Sequence, residues 1–101
     1  MNLENIPPSN NLTVTVRNRE RLLFEGKALA LSSYDDAGPF DVLPLHTNFI
    51  SVVKNMLTII KEDGSRVELP VERGVLKVSS NRVEIYMGFE NKPVPSNSQR
   101  T

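Results

Sequence analysis

Short runs in which apolar and polar side chains take alternate places recur along this chain, and no apolar stripe at helical spacing persists over several turns. A period of two buries one side of a strand and wets the other, so the chain is expected to be all-β. Leu12-Thr13-Val14-Thr15-Val16 turns its even-numbered valines to one side. Leu22 to Gly26 and Lys27 to Ser33 read as further strands, with a bend or bulge at Gly26 and with Leu29 and Leu31 entering the core together. Met56 to Glu62 and Ser65 to Leu69 flank Asp63-Gly64, a pair suited to the positive-φ positions of a tight hairpin turn, and Val67 shares a face with Leu69. Gly74 to Ser79 and Arg82 to Met87 pair across Ser80-Asn81, with Val83 and Ile85 inward and Glu84 in water. Such runs favour an antiparallel two-sheet β-sandwich.

At 101 residues the chain has room for one core, and its 39% apolar content fills a modest one. The foldable unit is expected at 12–89, between a break-rich leader, 1–11, and a polar tail, 90–101. Basic and acidic residues balance at 12 each, which argues against nucleic acid or anionic lipid as a partner. With Cys 0 there are no disulfides or thiol chemistry, and the interior of a cell is the simplest setting. The start has neither a basic segment nor a long apolar run, and no later window is long enough to cross a bilayer.

Reaction chemistry finds no foothold. His46 is the single histidine, without the ligands a metal cluster needs, and reads as a loop or interface residue. Asp35 and Asp36 are ordinary turn residues that, with Tyr34, also suit polar groups on a partner. Gly26 and Gly74 belong to no phosphate loop, dinucleotide fingerprint or nucleophile elbow, so no cofactor and no small-molecule substrate is implied. Arg17, Arg19 and Arg21, interrupted by Glu20, read as a solvated turn.

Interaction is better supported. Pro39 and Pro44 stiffen the segment Gly38 to His46, which suits either a preorganised docking loop carrying Leu43, Pro44, Leu45 and His46 or a rigid corner. Phe40 and Val42 read as core. Phe49-Ile50 and Ile59-Ile60 break the alternation, so one member of each pair is free to face outward; Phe49 and Ile60 are the candidates for a protein interface.

Three segments then carry a family resemblance. Leu23-Phe24-Glu25-Gly26 resembles a "VFEG" piece, Gly38 to Asn48 a "GxFGVLPGHAP" piece, and Arg73 to Tyr86 a "GGxLxVxxNxVxVL" piece, in that order. Together they resemble the N-terminal β-sandwich of the epsilon subunit of rotary ATP synthases, called delta in mitochondria. Asp41 and Leu45 stand where the family pattern has glycine, and Thr47 and Asn48 where it has small residues or proline. The resemblance implies a non-catalytic central-stalk subunit of a proton-translocating F-type ATP synthase. It would join the gamma subunit to the loops of the membrane c-ring, as a peripheral subunit on the cytoplasmic face of the inner membrane. Inhibition by the two C-terminal helices common in the family is not implied by 90–101. A freestanding β-sandwich adaptor is the alternative, and an enzyme a weaker third.

Overall fold

The computed structural model describes residues 11–88; the expected tail 90–101, and the leader apart from Asn11, lie outside them. Six strands follow in order: β1 Leu12–Arg17, β2 Leu22–Asp35, β3 Gly38–Val42, β4 Phe49–Lys61, β5 Arg66–Ser79 and β6 Arg82–Met87. The described residues contain no helix.

All six strands belong to one hydrogen-bonded set. They form one sheet in the order β1-β6-β5-β4-β2-β3, and a further pairing of β1 with β2 closes it into a barrel, leaving β3 on the flank of β2. One ladder, β1 with β6, is parallel, so the expectation of an all-antiparallel arrangement is corrected. Long strands make closure possible because each changes partner along its length. β2 pairs with β1 through Leu22 to Ala28, then with β3 and β4 through its second half.

Irregularities bend these strands inward. Ala28 lies opposite Lys61 and Ala30 opposite Ile60, so Leu29 is an extra residue on β2. Leu31 is fully buried whereas Leu29 is 42% exposed. The expected Leu29–Leu31 pair in the core is therefore wrong, because the bulge shifts the alternation by one. The bulge sits at Leu29 rather than at Gly26, which stays in regular register opposite Val14. A second irregularity lies in β4, where Asn55 has a φ of 72° and the buried Ser33 hydroxyl donates to the Met56 carbonyl at 3.0 Å.

The core is built as the alternation requires. Val14 and Val16 enter from β1, Leu57 and Ile59 from β4, Leu76 and Val78 from β5, and Val83 and Ile85 from β6. Val67 and Leu69 share the inner side, half-buried against this cluster. The β4–β5 hairpin turns at Glu62-Asp63-Gly64: the Lys61 N–H donates to the Ser65 carbonyl at 2.8 Å and the Gly64 N–H to the Lys61 carbonyl at 2.9 Å. Only Gly64 has positive φ there, 87°, so the connection is a three-residue turn ending in a glycine bulge rather than a two-residue turn with Asp63 left-handed.

A candidate partner-binding surface

Between β3 and β4 the chain crosses one end of the barrel. Val42 is fully buried and fixes the loop's start. Beyond it Leu43 is 54% and Leu45 78% exposed, while Pro44 and His46 are half-buried. The His46 N–H donates to the Leu43 carbonyl at 3.1 Å, closing a tight turn around Pro44 in which Leu45 takes a φ of 70°. That is the left-handed region, where glycine is at ease and leucine is not.

Behind the loop stand aromatic rings. Phe49 meets Phe40 edge to face at 6.0 Å and the His46 ring at 4.9 Å, and both phenylalanines pack against the core. His46 Nδ1 lies 2.8 Å from the Thr47 carbonyl oxygen. The imidazole thus packs within the loop, and among the described residues no group of three or more His, Cys, Asp or Glu side chains is placed to hold a metal.

Phe49 accordingly faces in, and the outward member of its pair is Ile50, 68% exposed. This corrects the expectation that Phe49 presents itself to a partner. On the same outer side of β4 lies Val52, 47% exposed; it pairs with Val75, which pairs with Tyr86, 55% exposed. The three strands thereby carry an apolar ridge of Ile50, Val52, Val75 and Tyr86 across the barrel's outside. Ile60 is the half-buried outer member of the other pair, next to the fully buried Ile59.

Residues 11–88 match the family described as the ATP synthase, delta/epsilon chain, β-sandwich domain. The chain belongs to this family. It is 31% identical over 77 residues to the ATP synthase epsilon chain of Corynebacterium aurimucosum, an alignment covering 74% of this chain and 63% of that one. It is 32% identical over 80 residues to the epsilon chain of Corynebacterium efficiens, covering 77% and 64%. The chain thus spans less than two thirds of the length of these curated relatives. Its fold resembles a chain in the Euglena gracilis mitochondrial ATP synthase OSCP/F1/c-ring assembly, with a TM-score of 0.73 at 20% identity over 82% of this chain and 52% of that one. A chain in the Tetrahymena thermophila mitochondrial ATP synthase central stalk/c-ring assembly gives 0.63 at 17% identity, covering 75% and 62%.

On this delta/epsilon-family domain the expected contact residues fall at two places rather than one. Register puts Ile60 opposite Ala30, while Leu43 follows Val42, the partner of the adjacent Leu31, so Leu43 and Ile60 flank β2 at one level. Tyr34, Asp35 and Asp36 lie at the β2–β3 hairpin, four residues beyond Ala30 and so about 14 Å along the strand. There Asp35 accepts the Ala37 N–H at 2.8 Å as a turn residue, and Asp36 pairs with Lys54 at 3.1 Å. Tyr34 is exposed beside them. A surface groove of about 400 Å³ includes Asp36, Lys54, Glu72 and Arg73 but not His46, so the histidine and the aspartates do not share it.

Sequence reasoning missed Val52 and Tyr86 as surface residues. The signal was present for Val52: once Val53 is inside, regular alternation sends Ile50 and Val52 outside together.

Proposed function

We propose that the chain is a non-catalytic central-stalk subunit of a proton-translocating F-type ATP synthase, coupling the gamma subunit to the c-ring. The observation that carries this reading is the family match, which runs the length of the described barrel. Two further features support it. The barrel has a core drawn from all six strands, and it wears an apolar ridge on its outside. A side chain moved from water into an interface gains about 1.5–3 kcal/mol when fully buried, so the ridge favours a protein partner.

In this reading Ile50, Val52 and Tyr86 dock on gamma, and Leu43, Pro44, Leu45 and His46 face the ring loops. Ile60 extends the loop contact, and Tyr34, Asp35 and Asp36 provide a polar margin. The domain rotates with its neighbours and transmits torque, while nucleotide chemistry and proton transfer occur in other subunits. It sits on the cytoplasmic face of the inner membrane as a peripheral member of the complex.

The test is recovery of partners from native membranes with tagged wild type, Ile50→Asp and Tyr86→Ser, each verified as folded. Wild type should bring down gamma and ring subunits, and each variant at least tenfold less. A folded wild type that recovers neither subunit, or that recovers one unrelated protein stoichiometrically, would replace this reading with the adaptor.

A further inference from the structure

The loop that presents Leu43 and Leu45 is braced by the neighbouring β5–β6 turn. The Leu45 N–H donates to Asn81 Oδ1 at 2.6 Å, and the Ser80 N–H donates to Asn48 Oδ1 at 3.0 Å. Each segment thus lends an asparagine side chain to a backbone N–H of the other. The β5–β6 turn that holds the loop is itself tied down, because the Asn81 carbonyl accepts the Thr13 N–H of β1 at 2.8 Å.

The brace holds a conformation that is costly at Leu45 itself. Leu45 combines left-handed backbone with 78% exposure, and a leucine is disfavoured by both. Asn81 suits its place for the opposite reason. Its φ of 65° is one asparagine tolerates, and its short side chain supplies an acceptor that glycine lacks.

Resting on the central-stalk reading, we infer that Asn48 and Asn81 are positioning residues, which set the 43–48 loop in its docking shape before a partner arrives. A loop already held in its bound form loses less freedom on association, and affinity rises with no added contact. The prolines alone do not achieve this, since neither Pro39 nor Pro44 constrains the backbone at Leu45.

The experiment compares full-length wild type with Asn81→Gly, Asn81→Asp and Asn48→Ala. It reads hydrogen exchange at the Leu45 amide and binding to native membranes depleted of the endogenous chain. Asn81→Gly keeps the turn's positive φ and removes the side-chain acceptor of the Leu45 N–H. It should speed Leu45 exchange and weaken binding, each by about tenfold, as expected for one lost hydrogen bond. Asn81→Asp keeps the acceptor and should restore both, and Asn48→Ala should loosen the same loop from its other end. Unchanged Leu45 exchange in both Asn81→Gly and Asn48→Ala would overturn the brace, and faster exchange with unchanged binding would overturn its role in docking. Wild type that binds no rotor component while Leu45 exchange still responds would overturn the central-stalk reading and the docking role, leaving the brace itself supported.

Discussion

A Cβ placed on Gly74 would lie 2.9 Å from the carbonyl oxygen of Tyr86. Gly74 pairs with Met87, and the β6 backbone comes this close because β5 is irregular just before Gly74, between the positions opposite Val53 and Asn55. The obstacle is main chain, which cannot rotate away as a side chain can.

Gly74→Ala is therefore expected to displace the end of β6 and cost about 1–3 kcal/mol, as overpacking does in a tight interior. Urea denaturation checks it. A midpoint equal to wild type would mean that β6 shifts freely there.

Gly64→Val acts through conformation rather than space. No atom lies within 4 Å of a Cβ at Gly64, but its φ of 87° is strained for any side chain and most of all for a β-branched one. A loss of about 1–2 kcal/mol is expected. Thermal unfolding unchanged from wild type would argue against the three-residue turn.

Phe49 and Ile50 are neighbours with opposite expected phenotypes. Phe49→Ser removes a ring packed on the core, on Phe40 and on His46, and should cost about 2–4 kcal/mol. Ile50→Ser, at an outward position, should stay within about 0.5 kcal/mol of wild type yet weaken partner recovery. Reversal of the two stabilities would show that β4 has slipped by one residue.

The Asp63 carboxyl is held below its ordinary value of 3.8, first by the Ser65 hydroxyl, which donates to it at 2.6 Å, and then by the Ser65 N–H at 2.9 Å. A depressed folded-state pKa gives stability that is fully present above the unfolded value and is lost as pH falls through the folded one. Ser65→Ala should raise the Asp63 pKa toward 3.8 and shrink the acid-side loss of stability. NMR titration of the Asp63 side chain reads this directly, and an unmoved midpoint would assign the shift to other groups.

Several elements were legible because their causes are local. Thr13 and Thr15 alternating with Leu12, Val14 and Val16 predict β1, and Asp63-Gly64 and Ser80-Asn81 predict two turns, since glycine at 64 and asparagine at 81 accept positive φ cheaply. Phe40 and Val42 belong to the interior as expected. The first half of β4 was harder to read, because Phe49-Ile50 and Val52-Val53 each put adjacent apolar residues on opposite sides. Of the candidate surface, the exposed Leu43 and Leu45 were identifiable from their place beside Pro44, whereas the tie from Leu45 to Asn81 was not, because it spans 36 residues.

Alternation and turn chemistry by themselves determined that this chain is all-β, which side chains most runs bury, and where two hairpins reverse; the ordered motifs determined its family. Only the tertiary structure decided that the sheet closes through a parallel β1–β6 ladder, that Leu29 and Ile50 face water, and that two asparagines brace the 43–48 loop. The division has a physical reason. A side chain's inward or outward turn depends on its neighbours in sequence, but every residue except proline offers the same N–H and C=O to a ladder, so a strand's partners, and a bulge that shifts its phase by one, leave little local trace.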